Sequence, residues 1–379
     1  MKKILHVVNI SFVIPYFLGE QLNYFKEKQY KEYIICSPSK ELKEFSLQYN
    51  FKYKEVEILR SISIFKDLKA VLATIKYISE NEIDFIVGHT PKGALIAMLA
   101  GFICRIPKRI YFRHGLVYET ASGLKRALLK FIDRIASLLS TKIICVSESV
   151  CIKSIEDRLN SKEKQQLLSR GTCNGIDTER FSKKSISVDQ LMILKNNLGL
   201  EDKDFVIGFT GRLVRDKGIK ELVNAFNLLS YKYSNIKLLL VGQLEERDAI
   251  PQNIVNEIKN NVNIITTGYV QNSSIEYYYA LMDIFVLPSY REGFPTSVLE
   301  ASAMELPVIT TKVTGCIDSI IENETGIFVD NSGLSLYNGL ERLYKDNKIR
   351  DYMGLKGRLF VENYFKQEII WNEIEKLYL

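Results

Sequence analysis

The sequence predicts an α/β protein of two Rossmann-like domains, each a parallel sheet with helices on both faces, set against each other across a cleft. Three observations carry this expectation. Short β-branched runs alternate with longer stretches of helical spacing from end to end, the mark of repeated βα units. The candidate strands are continuous apolar runs, as strands covered on both faces require. The chain has 379 residues, too many for one hydrophobic core, so two domains of roughly 180 residues are expected.

The elements follow in order. Lys2-Lys3 and the uncharged run to Gly19 mimic a secretory signal, but His6, Asn9 and Ser11 interrupt it. No small-residue cleavage site follows, and 4–9 reads as a buried first strand with His6 in the core. Further strands are read at 33–37, 85–88, 109–113, 142–146 and 167–172. The second half offers 205–210, 236–241, 263–267, 284–288, 307–312 and 326–329. Between most of them apolar residues recur at helical spacing, as in Leu68, Val71, Leu72 and Ile75. The alternation pauses around 177–204, where 177–187 is polar and a helix restarts over 188–200. The junction is placed near 183. This gives an N-terminal domain over 1–183, a C-terminal domain over 184–360, and a terminal helix over 361–379 packing back toward the first domain.

Composition narrows the function. Residues 1–182 carry 29 Lys/Arg against 19 Asp/Glu, a net +10, whereas 183–379 carry 22 against 26, a net −4. The excess concentrates in 60–142, with 14 basic and 6 acidic residues. A basic half points to an anionic surface. The signatures of nucleic-acid binding are missing, which leaves an anionic membrane. The six Cys form neither a CxxC pair nor a Cys/His cluster, so a reducing cytosol with no disulfide framework and no metal site is expected. The longest central uncharged run, Gly93 to Cys104, is too short to span a bilayer.

In such folds ligands bind beyond the carboxyl ends of the strands, so motifs there count most. Leu287 to Glu300, LPSYREGFPTSVLE, runs from a strand through a loop into a helix whose first turn suits Pro295. Free N–H groups of that turn form a natural anion site. Glu300 lies one turn beyond Thr296, and Glu292 sits on the loop; two solvated acids at a helix start are the plainer alternative. Directly after 205–210 comes Gly211-Arg212-Leu213-Val214-Arg215-Asp216-Lys217-Gly218. Its two cations, Arg212 and Lys217, suit a diphosphate, although surface cations are commonly just solvated. The loop is neither a Walker sequence nor GxGxxG.

These stretches resemble the retaining glycosyltransferases of family 4, which have the GT-B fold. The matching pieces are Gly211-Arg212-Leu213 with Lys217-Gly218, Asp283 to Ser289, and Glu292-Gly293-Phe294-Pro295 with Glu300-Ala301; Asn174 to Asp177 and Val146 to Ser149 also match. The resemblance covers nearly the whole chain and is most specific in 205–310. It implies a nucleotide diphosphate sugar, UDP-linked, as donor substrate, with no cofactor and no metal. Arg212 and Lys217 match the pair that grips the diphosphate, Glu300 the acid that binds the ribose, and Glu292 the acid beside the donor sugar. Backbone groups at Gly293, Phe294, Pro295 and Thr296 would line sugar and phosphates, and Asp283 would shape its strand. His114, after a strand in Tyr111-Phe112-Arg113-His114-Gly115, matches the active-site histidine. His89 to Gly93 resembles a segment of polysaccharide-assembling members, where Lys92 would meet an acceptor diphosphate or serve a helix start. The stretch Asn9 to Pro15 departs from the Gly-Gly loop of many members, so its part in closing over the donor is open.

The implied reaction moves a hexose or N-acetylhexosamine onto a lipid-linked, undecaprenyl diphosphate saccharide in capsule, O-antigen or glycan assembly. The N-terminal domain would bind the acceptor and the C-terminal domain the donor. The protein would lie in the cytoplasm, peripheral on the inner face of the membrane. One helical stripe is the membrane candidate: Leu124, Ala127, Leu128, Phe131, Ile132, Ile135, Leu138 and Leu139, flanked by Arg126, Lys130 and Arg134. Packing on the core is the alternative for that stripe. Rival functions are a nucleotide-sugar epimerase or hydrolase of similar fold, and an inactive scaffold partner in polysaccharide assembly.

Overall fold

The structure is a computed structural model and describes every residue of the chain except Arg60, Ile62 and Arg247. One residue of the basic excess over 60–142, Arg60, thus lies outside the described residues. Two compact units divide the chain: Met1–Gly175 with Gln367–Leu379, and Ile176–Lys366.

The first unit is built on seven parallel strands: β1 (Lys3–Val7), β2 (Lys31–Cys36), β3 (Lys52–Glu55), β4 (Phe85–His89), β5 (Lys108–Arg113), β6 (Lys142–Cys145) and β7 (Gln165–Leu167). They lie in the order β3-β2-β1-β4-β5-β6-β7. Leu5, Val7, Tyr33, Ile35, Ile86 and Tyr111 meet helices on one face. Val8, Ile34 and Cys36 point to the other, where Leu18, Leu22 and Leu42 cover them. The strand expected at 167–172 is instead Gln165–Leu167, because Ser169 and Thr172 adopt positive φ and turn the chain. β3, with the sequence KYKE and no buried residue, is a polar edge strand that offers no apolar run to read.

The second unit carries six parallel strands: β8 (Phe205–Thr210), β9 (Ile236–Val241), β10 (Ile264–Thr266), β11 (Ile284–Leu287), β12 (Val308–Thr311) and β13 (Gly326–Val329). Their order, β10-β9-β8-β11-β12-β13, reverses direction between β8 and β11. That reversal is the switch point where doubly wound sheets open a crevice at their carboxyl edge. Asp283 secures the opposite edge: its Oδ2 accepts from the Val206 amide at 2.8 Å, and burial pushes its carboxyl above the usual range.

The division falls at 175/176, not near 183. Residues after 175 are held by the second unit, where Arg358 Nη1 donates to the Phe181 carbonyl at 3.0 Å and Nη2 to that of Thr178 at 3.1 Å. The return falls at 366/367, not 360, since the helix Asn347–Tyr364 runs unbroken past 360. Beyond it, the helix Gln367–Tyr378 belongs to the first unit. Trp371 Nε1 donates to the Asn174 carbonyl at 3.0 Å, and fully buried Tyr378 meets the rings of Phe25 and Phe85.

Candidate functional site

In the second unit the two motifs read from sequence follow β8 and β11, the strands flanking the switch point. The loop after β8 is pressed against the end of β11. Gly218 has φ +70°, and a Cβ there would stand 2.1 Å from the Pro288 carbonyl oxygen, so only glycine fits. Hydrogen bonds join the loops. The Tyr290 amide donates to the Asp216 carbonyl at 2.8 Å, and Arg291 Nη2 to Asp216 Oδ2 at 3.1 Å. From the far side Gly315, φ +81°, backs onto the carbonyl of Gly293.

This frame brings Lys217 and Glu292 together as an ion pair, both largely shielded from solvent. Glu292 Oε1 also accepts from Ser289 Oγ at 2.7 Å. Arg212 is the more exposed cation and pairs with Glu245 Oε2 at 3.0 Å. The helix Thr296–Ala303 begins directly after Pro295, and among the described residues no side chain caps it. Its first N–H groups therefore remain a positive terminus. Phe294 leans on Phe365 with ring centroids 5.4 Å apart, so its side chain serves packing.

Glu300 lies one turn into that helix and is buried. Its Oε2 accepts from Tyr279 OH at 2.7 Å, and that hydroxyl lies 2.6 Å from Thr210 Oγ1 at the end of β8. Burial raises the Glu300 carboxyl above its usual range, and the Tyr279 hydrogen bond opposes the rise. Neither Tyr279 nor Ser289 was evident as a partner in the sequence, because their link to the acids is set by packing and not by spacing.

The first unit holds a second cluster. Glu32 Oε2 lies 3.1 Å from His6 Nε2, His6 Nδ1 lies 3.1 Å from His89 Nε2, and His89 Nδ1 lies 3.0 Å from His114 Nε2. All three histidines of the chain thus join one line. Strand register explains it: Ile4 faces Glu32, His6 faces Val87, and His89 faces Phe112. Each member of the line therefore stands two residues beyond its neighbour, on the same face of the sheet. His6, expected as a core residue, is buried but bonded through both nitrogens. Desolvation, and secondarily the neighbouring His114 and His6 rings, hold His89 well below the usual histidine range. Burial pushes His114 down to about 3. Phe17, in the short helix Ile14–Phe17 after β1, stacks on His114 at 3.7 Å with the rings 6° from parallel.

Lys92 is buried and ion-paired with Asp67, an arrangement that ties the helix Pro91–Ile103 to the helix Ile64–Asn81. The helix Gly123–Leu139 turns Asp133, Ala136 and Ser137 inward. Asp133 Oδ1 and Ser137 Oγ receive hydrogen bonds from Arg113 Nη2 at 2.7 and 2.6 Å. Its apolar stripe faces outward instead, with Leu124 91% and Leu138 76% exposed. Leu128 and Phe131 are exposed with them, whereas at the stripe's inner margin Ile132 and Ile135 are half-buried and Leu139 packs against the core. Two flanking cations are engaged internally: Lys130 pairs with Asp157 at 2.9 Å, and Arg134 Nε donates to the Arg158 carbonyl at 3.0 Å. Among the described residues no helix is long and apolar enough to cross a membrane.

Comparison with known proteins adds what geometry alone does not. Residues 193–360 match the family described as glycosyl transferases group 1, and residues 3–147 match that described as glycosyl transferase 4-like. The capsular polysaccharide biosynthesis glycosyltransferase CapM of Staphylococcus aureus is 36% identical, over 100% of this chain and 97% of its own length. An Escherichia coli UDP-Gal:alpha-D-GlcNAc-diphosphoundecaprenol alpha-1,3-galactosyltransferase is 23% identical over 93% of this chain and 89% of its own. Among solved structures, Anabaena HepE in complex with UDP-glucose superposes with a TM-score of 0.81 at 17% identity, covering 99% of each chain. Its likeness concerns the fold.

Proposed function

This chain belongs to the family 4 glycosyltransferases of GT-B fold, and on that premise we propose that it works as a retaining, metal-independent enzyme. It moves a hexose or N-acetylhexosamine from a UDP-sugar onto a saccharide carried by a lipid diphosphate. One observation carries the donor half of this reading. Arg212, Lys217 and the uncapped start of Thr296–Ala303 gather at the carboxyl edge of two adjacent strands. Three positive features at one edge suit a diphosphate.

In this reading the bond from the anomeric carbon to the phosphate oxygen breaks with its electron pair leaving on the diphosphate. Arg212, Lys217 and the helix N-terminus hold that charge. The acceptor hydroxyl bonds to the anomeric carbon from the face the diphosphate leaves, and its proton passes to the departing phosphate oxygen. Lys217 exchanges Glu292 for the diphosphate when the donor arrives, freeing Glu292 for the sugar hydroxyls; in the first unit His114 is the candidate for a substrate hydroxyl. Glu300, steadied by Tyr279, takes the ribose. Backbone groups from Gly293 to Thr296 line the pocket. Removing one such electrostatic contact costs on the order of 100–1000-fold in rate.

The acceptor is argued from relatives: one acts in capsular polysaccharide biosynthesis and another on a diphosphoundecaprenol-linked sugar. The outward apolar stripe of Gly123–Leu139, with Lys125 and Arg126 beside it, supports a peripheral seat on an anionic leaflet. The decisive experiment is thermal unfolding of the protein with UDP and UDP-sugars. A ligand at 100 times its Kd adds about 2.7 kcal/mol of apparent stability. UDP protects the wild type and protects Arg212→Ala much less; no protection by any nucleotide sugar ends the donor reading. Transfer assays with and without acceptor separate the enzyme from an epimerase or hydrolase.

A further inference from the structure

The line of Glu32, His6, His89 and His114 has a direction that distances alone do not set. An ionised carboxylate only accepts hydrogen bonds, so the nitrogen beside Glu32, His6 Nε2, must carry a proton. A neutral ring with a proton on Nε2 has a bare Nδ1. His6 Nδ1 then accepts from His89 Nε2, and His89 Nδ1 accepts from His114 Nε2. The bias passes through each ring and ends with His114 Nδ1 unprotonated.

We propose that Glu32, His6 and His89 are positioning residues that lock His114 in the Nε2–H tautomer, so that its Nδ1 is presented as an acceptor for a substrate hydroxyl. Four observations support the lock. The rings of His6 and His89 are buried, each 1% exposed, so water does not compete for their nitrogens. The rings of His89 and His114 resist protonation because of burial, which keeps these two rings neutral. Phe17 stacks on His114 and Phe112 on His89, fixing both ring planes. Glu32 Oε1 is buried with no hydrogen-bond partner among the described residues, and the carboxylate meets His6 through Oε2. The groups facing Glu32 from packed elements are the Tyr378 and Tyr30 hydroxyls; the Tyr378 hydroxyl is itself buried without a hydrogen-bond partner among the described residues. The role assigned to His114 rests on the transferase reading above; the tautomer does not.

The test uses the full chain without a histidine tag, labelled with nitrogen-15 histidine, so that the three native rings are the only ones in a long-range proton–nitrogen spectrum. Wild type should show three neutral rings, each protonated at Nε2. Finding His114 protonated at Nδ1, or charged, at neutral pH overturns the proposal. In Glu32→Leu/His6→Phe, which removes the carboxylate without leaving a charge buried alone, His114 should populate both tautomers. Its persistence as pure Nε2–H would equally overturn the proposal. If this variant fails to fold, the wild-type spectrum still decides. The same variant should lower kcat about 3- to 10-fold, the worth of one hydrogen bond, with donor KM changed less. An absence of transfer by wild type would end the transferase reading and leave the spectrum to judge the tautomer, whereas an active wild type with the wrong tautomer ends the lock alone.

Discussion

Two histidines couple the first unit to pH. His114 is pushed down to about 3 and His89 lies well below its ordinary value, in both cases chiefly by burial. An unfolded histidine titrates near 6.5. As pH falls below that value the unfolded chain takes up protons that these rings refuse. The stability they contribute is therefore full above about 6.5 and drains as pH drops toward the folded values. Each ring sets a slope of about 1.4 kcal/mol per pH unit. Urea unfolding at pH 7 and pH 5 should show the loss, and His89→Gln should roughly halve it. A flat profile over that window would refute the burial argument. None of this was legible in the sequence: the histidines lie 83 and 25 residues apart, and only strand register joins them. The placement of Arg212 and Lys217 after β8, and of Glu292 and Glu300 after β11, was legible because the apolar runs of both strands announce them.

Elements were readable to the extent that their residues were apolar. β8 and β11 are fully buried and could not be missed, whereas β3 could not be found. Gly123–Leu139 shows the opposite difficulty. Its periodicity marks a helix correctly but does not say which side faces in, because Arg113 draws the polar Asp133 and Ser137 toward the sheet. The junction between the loop after β8 and the end of β11 yields a sharp prediction. Gly218→Ala meets the left-handed penalty of about 1–2 kcal/mol and also a backbone oxygen at 2.1 Å. Gly199→Ala, at φ +67° in open space, meets the penalty alone. Gly218→Ala should therefore lower the melting temperature more and weaken protection by UDP, while Gly199→Ala leaves that protection intact. Equal effects of the two changes would show that the loop contact is unimportant.

At the scale of the whole molecule, charge is uneven: +10 over 1–182 and −4 over 183–379. With Leu124, Leu128, Phe131 and Leu138 turned outward, the expected outcome is cosedimentation with anionic vesicles at low salt that weakens as salt rises. Phe131→Ser/Leu138→Ser should bind less, and failure of the wild type to bind at low salt would dismiss the membrane seat. The chain also leaves the first unit at 175 and re-enters it at 367. During synthesis, then, the part that emerges from the ribosome first is finished last. The second unit has all of its residues while Phe25 and Phe85 still wait for Tyr378 to cover them. A ribosome that stalls or stops before 367 would release a polypeptide with its second unit complete and its first unit open to chaperones and proteases.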